Sequence, residues 1–183
     1  ALCHQWDVWV DAGSCFRRRL RRELWKTGLP ARGSDGGWER RSCDRCARNN
    51  QRFHLETGQE TAAELLAFIK AVDRPNLAVN FDPANMILYG AGDPLEAMDL
   101  LGPYIRSVHC KDARYERDGG QPWYEDCPLG EGDVDMEAFL RRLHSLGYTG
   151  ALTIEREYSP DQAGDLGAAL SLLRELRSKI LGT

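Results

Sequence analysis

From residue 53 onward the chain alternates between two hydrophobic periods. Leu77, Val79 and Phe81 interleave with Ala78, Asn80 and Asp82, the two-residue repeat of a strand. Pro83 cannot continue a ladder, so Asp82 stands at that strand's C-terminal end. The same reading predicts strands over 53–56, 105–110 and 150–155. Between them the repeat becomes helical. Thr61 to Glu64 is a capping-box pattern ahead of the stripe Leu65, Leu66, Ile69 and Val72. Asp93 and Pro94 open a helix that runs through Leu101 and ends at Gly102. Asp135 caps a helix with the face Met136, Phe139, Leu140, Leu143 and Leu146. A last helix, over about 165–180, buries Leu166, Leu170, Leu173 and Ile180. Residues 111–134 read as one long loop. Four β-then-α units in succession predict a parallel α/β sheet.

Residues 1–52 show neither period over a useful length, and composition sets them apart. They hold half of the chain's 24 Lys and Arg but only 6 of its 28 acids, together with four of the five Trp and four of the six Cys. Arg17 to Arg19 with Arg21 and Arg22 make a basic block, and Gly33 to Gly37 looks like loop. Cys43-Asp44-Arg45-Cys46 has the spacing of a zinc or redox site, with Cys3, His4 and Cys15 as further candidate ligands, but a second paired knuckle is missing. A basic nucleic-acid arm is the other active reading, without a binding motif to carry it. The favoured reading divides the chain into an irregular, basic segment over 1–52, with out-of-frame translation as one account of it, and a regular domain over 53–183. The overall charge of −4 disfavours a nucleic-acid partner. No apolar run spans a membrane and no secretion leader opens the chain, so a cytoplasmic location is expected.

The strand registers bring chemistry together. His54 and Glu56 share one face, as do Ala78, Asn80 and Asp82, then Ser107 and His109, then Thr153 and Glu155. In three of the four strands the opposite face is apolar, as a helix-covered face should be. Glu56, Asp82, His109 and Glu155 therefore point to one interior at one end of the sheet. Any one of them alone would read as a helix cap or a solvated group. Three converging carboxylates repel unless a cation joins them. Three oxygen ligands and one imidazole suit Mn²⁺, with Mg²⁺, Co²⁺ or Zn²⁺ as alternatives. Asn80 and Lys111 lie on the same side, where Lys111 would meet an anionic or hydroxylated substrate.

The motifs His54-Leu55-Glu56-Thr57-Gly58-Gln59-Glu60, Asn80-Phe81-Asp82-Pro83-Ala84-Asn85, Val108-His109-Cys110-Lys111-Asp112, Pro128-Leu129-Gly130-Glu131-Gly132-Asp133-Val134-Asp135 and Leu152-Thr153-Ile154-Glu155-Arg156-Glu157 follow in this order. Residues 53–183 thereby resemble the C-terminal half of the xylose isomerase-like TIM-barrel superfamily, the sugar phosphate isomerase/epimerase group. The resemblance implies a partial (β/α)₈ barrel of about four C-terminal βα units. It implies Glu56, Asp82, His109 and Glu155 as ligands of a divalent metal, Glu56 and Glu155 as acid and base, and Asn80, Asn85, Lys111 and Asp112 as substrate contacts. Asn85 stands where some epimerases carry a substrate-contacting His. The implied reaction is isomerisation or epimerisation of a sugar or sugar phosphate through an enediolate. An inosose dehydratase-like elimination and an inactive, incomplete barrel are the alternatives. On this reading strands 53–56 and 151–155 are open edges through which two copies could associate.

Overall fold

The computed structural model describes residues 8–10, 37–116 and 123–182. The basic block and the candidate ligands Cys3, His4 and Cys15 lie outside the described residues.

In chain order the elements are β1 (Val8–Val10), α1 (Gly37–Arg48), β2 (Phe53–Glu56), α2 (Ala62–Val72), β3 (Leu77–Phe81), α3 (Pro83–Tyr89), α4 (Pro94–Leu101), β4 (Ile105–Cys110), β5 (Asp112–Glu116), β6 (Trp123–Cys127), α5 (Met136–Ser145), β7 (Leu152–Ile154) and α6 (Gln162–Leu181). Strands β1, β7, β4, β3 and β2 form one sheet in that spatial order, and every pair in it is parallel. Each of β2, β3, β4 and β7 lies beside the next, with helices in the crossovers. This is the wall of a partial TIM barrel.

The caps read from the sequence are present. Thr61 and Glu64 form a reciprocal capping box on α2, Asp93 accepts from Leu95 and Glu96 at the start of α4, and Asp135 accepts from Ala138 at the start of α5. The apolar strand face and the helix stripes meet in one core. Phe53, Leu77, Val79, Phe81, Val108, Leu152 and Ile154 pack with Leu65, Ile69, Met98, Leu101, Phe139, Leu143 and Leu173. Phe81 and Phe139 stack with ring centroids 5.9 Å apart, a contact worth about 1 kcal/mol beyond the area it buries.

Three expectations change. The segment before Phe53 is not irregular throughout. Val8–Val10 pairs in parallel with β7, so the 151–155 strand has a neighbour on that side. Helix α1 docks on the body: Cys43 is fully buried, Asn76 donates to the Cys43 carbonyl at 2.7 Å, and Arg40 donates to the Ala71 and Val72 carbonyls at the end of α2. The CxxC pair lies on this helix. Burial pushes the Cys43 thiol up to about 11, in keeping with a side chain packed in the core. Secondly, the 111–134 loop contains an antiparallel hairpin, β5 with β6. Thirdly, Pro83 starts a helix instead of only ending a strand. Its missing N–H costs nothing at the first helical position, and Asp82 is the N-cap of α3.

Candidate metal centre

Glu56 is the last residue of β2, His109 lies one residue before the end of β4, and Asp82 and Glu155 directly follow β3 and β7. One ligand atom from each lies within 4.8 Å of every other. His109 Nδ1 is 2.9 Å from Glu56 Oε1, 3.1 Å from Glu155 Oε2 and 3.6 Å from Asp82 Oδ2. Burial alone would discharge the imidazole, yet the carboxylates of Asp82, Glu155 and Glu56 push His109 up to about 12. Burial likewise raises the Glu155 carboxyl, but His109 and Lys111 outweigh it and hold that group at about 2.

Asp82 does two jobs with its two oxygens. Oδ1 accepts the Asn85 N–H at 3.0 Å and caps α3. Oδ2 is buried, has no hydrogen-bond partner and faces the cluster. A buried, unpartnered carboxylate oxygen beside two more carboxylates and a histidine fits a divalent cation, which would satisfy that oxygen, take the place of the second ring proton of His109 and relieve the repulsion. Thr57 fixes the geometry. Its buried hydroxyl donates to the Asp82 carbonyl at 2.8 Å and accepts the Asp82 N–H at 2.7 Å, fastening the end of β2 to the end of β3.

The residues expected at the substrate are engaged with the protein. The Asn80 amide lies 3.1 Å from His109 Nε2 and orients the ring. Asn85 donates to the Thr57 carbonyl and accepts from Lys111. Lys111 is almost fully buried against Glu157, Asn85 and Glu155. Burial opposes its charge, but Asp82, Glu155 and Glu157 together raise its pKa and keep it protonated. Asp112 requires correction. It is buried, and its two oxygens accept the N–H groups of Ala113, Gly130, Gly132 and Val134. It organises the Gly130–Gly132 loop and has no oxygen to spare for a ligand. Gly132 has no room for a side chain, because a Cβ there would meet the Asp112 carboxylate and lie 2.6 Å from the Ala113 carbonyl.

Thr57 and Glu157 support the site without belonging to the expected ligand set. Thr57 directly follows a site residue. Glu157 alternates with Glu155, and that spacing was the available signal. A further tie lies behind them: Asp126 on β6 accepts from Arg156, and Arg156 also pairs with Asp165 on α6.

A parallel barrel wall carrying an acid-and-imidazole cluster at its C-terminal end defines a TIM-barrel protein with a candidate metal centre. The chain belongs to the xylose isomerase-like TIM barrel family, whose model matches residues 40–176. It is similar to the crystal structure of a xylose isomerase domain protein from Planctomyces limnophilus, with 47% identity and a TM-score of 0.79, over 86% of this chain and 57% of that one. It is 29% identical to ketose 3-epimerase of Arthrobacter globiformis over 117 residues, 63% of this chain and 36% of the relative. It is 25% identical to inosose dehydratase of Lacticaseibacillus casei over 135 residues, 67% and 45% respectively. The chain thus spans less than half the length of these curated relatives. No helix among the described residues is long and apolar enough to cross a membrane.

Proposed function

We propose that the chain carries the acid/base and metal-binding half of a divalent-metal-dependent carbohydrate isomerase or epimerase. The observation that carries this reading is the convergence of Glu56, Asp82, His109 and Glu155 within 4.8 Å at the C-terminal strand ends. These four residues would hold the ion, and three oxygens with one nitrogen suit Mn²⁺, Mg²⁺ or Co²⁺. When bound, the ion supplies positive charge for the oxyanion that develops on a sugar carbonyl. Glu56 and Glu155 flank the site from different strands. One removes the proton from the carbon beside the carbonyl, giving an enediolate, and the other returns a proton. Return to the opposite face epimerises; return at the neighbouring carbon interconverts aldose and ketose. Asn80 keeps the His109 ring oriented, and Thr57 keeps Asp82 in place.

A second reading has one observation in its favour. The inosose dehydratase alignment extends over 135 residues, against 117 for the ketose 3-epimerase. The same proton removal followed by loss of a neighbouring hydroxyl gives dehydration.

Incubation with ketoses, aldoses and inososes in deuterium oxide with Mn²⁺, followed by NMR, tests both readings. Deuterium at the carbon beside the carbonyl in an epimer or isomer is the expected result. A product lacking a hydroxyl favours the second reading, and no exchange in any substrate contradicts both.

A further inference from the structure

The sequence places Lys111 toward substrate, but its three N–H donors are matched by three acceptors. Nζ lies 2.6 Å from Glu157 Oε1, 3.3 Å from Asn85 Oδ1 and 3.4 Å from Glu155 Oε2. A fourth oxygen, Asp82 Oδ2, is 3.9 Å away. Two of these four oxygens belong to proposed metal ligands. An ammonium so close to them is a resident competitor for any incoming cation. The shortest of its contacts is to Glu157, 0.8 Å shorter than that to Glu155 (2.6 against 3.4 Å), so Glu157 holds the ammonium more closely than either proposed metal ligand does.

Glu157 is itself firmly placed. Its backbone N–H donates to Asp126 Oδ2 at 3.0 Å, and that oxygen also accepts from the Tyr158 N–H at 3.1 Å and from Arg156 Nη1 at 2.6 Å. Arg156 Nε reaches Asp165 Oδ2 at 2.8 Å. The Arg156 and Asp126 side chains are 9% and 8% exposed, so the stretch after β7 is fastened to both β6 and the first turn of α6. Such a buried, charge-assisted anchor gives Glu157 a fixed position.

We propose that Glu157 is a positioning residue that holds the Lys111 ammonium off Asp82 and Glu155 and so keeps their oxygens available to the metal. Lys111 is then an internal cation that tunes the site and does not bind substrate. The inference rests on the metal-centre reading of the four converging residues.

The test is calorimetric titration of the full chain with Mn²⁺ alone, with circular dichroism as the check on folding. Glu157→Gln, which keeps the size and loses the charge, is expected to weaken Mn²⁺ binding by about tenfold, in the range for supporting residues around a metal. The double variant Lys111→Met with Glu157→Gln removes the competitor and is expected to bind within about threefold of the native chain. Rescue by a second substitution is not what general loss of structure would give. Glu157→Asp keeps the charge but shortens its reach; it is expected to fall between the native chain and Glu157→Gln, and it carries the test if Glu157→Gln fails to fold. Native-like affinity in Glu157→Gln, or a double variant no better than the single one, overturns the inference. Glu155→Gln separates the two failures: unchanged Mn²⁺ affinity in that variant overturns the metal-centre reading itself.

Discussion

Replacing Glu155 with Gln is expected to lower turnover by about 10²- to 10⁴-fold, the usual contribution of a placed acid or base, and to remove Mn²⁺-dependent thermal stabilisation. Gln has nearly the same shape, so the loss isolates charge and basicity. The carboxyl is held at about 2, so it is ionised throughout the neutral range. It pairs with His109 at 3.1 Å and with Lys111 at 3.4 Å. An amide there offers a weaker oxygen to a cation and cannot take a proton from carbon. Without added metal the melting temperature is expected to fall at neutral pH, because a carboxyl held below its ordinary range stabilises the fold there, and the fall is limited because Lys111 keeps its 2.6 Å partner in Glu157 and His109 keeps Glu56. Melting curves with and without Mn²⁺, alongside turnover, check both parts.

The largest expected effect on stability belongs to Asp112→Ala. Four backbone N–H groups converge on this one carboxylate. Burial raises the Asp112 pKa, while the bonds from Val134, Gly132, Gly130 and Ala113 pull it back. Alanine leaves these donors without an acceptor. Each buried, unsatisfied group costs about 1–3 kcal/mol, so a loss of at least about 3 kcal/mol is expected even after water reaches the loop. For a chain of this size that is a fall of roughly 6–12 °C in melting temperature. Thermal unfolding checks it. Asp112→Asn keeps one acceptor oxygen and is expected to cost less than alanine.

The strands, most helices and their caps were legible because local chemistry decides them. Thr61, Asp93 and Asp135 announce helix starts through their side chains, and Leu77, Val79 and Phe81 announce a buried strand face. The convergence of Glu56, Asp82, His109 and Glu155 followed from the two-residue period alone, since a one-residue slip would turn each to the other face. What the sequence did not disclose depends on distant partners. Asp112 sits beside His109 and Lys111 in a motif, and nothing local says that its oxygens are taken by Gly130, Gly132 and Val134. The hairpin β5–β6 has masked its pattern because Arg114, Tyr115, Tyr124 and Glu125 mix charge and aromatic character on both strands. Helix α1 is rich in Arg and has no run of large aliphatic residues; its place is set by Cys43 in the core and by Arg40 reaching the end of α2. The sequence offers Asp82 both as a strand-end ligand and as a helix cap, and the structure gives one oxygen to the cap and leaves the other facing the cluster.

Mn²⁺ titration of the folded native chain and of Asp82→Asn decides whether the four residues at the ends of four strands hold a divalent metal. Asparagine caps a helix as well as aspartate does, so α3 should survive while the buried, charged Oδ2 is replaced by a neutral amide nitrogen that cannot ligate a cation. One Mn²⁺ per native chain and at least about tenfold weaker binding in Asp82→Asn, with unchanged circular dichroism, are expected. A folded native chain that takes up no Mn²⁺, or an Asp82→Asn variant that binds it equally well, would rule out a metal centre at these residues.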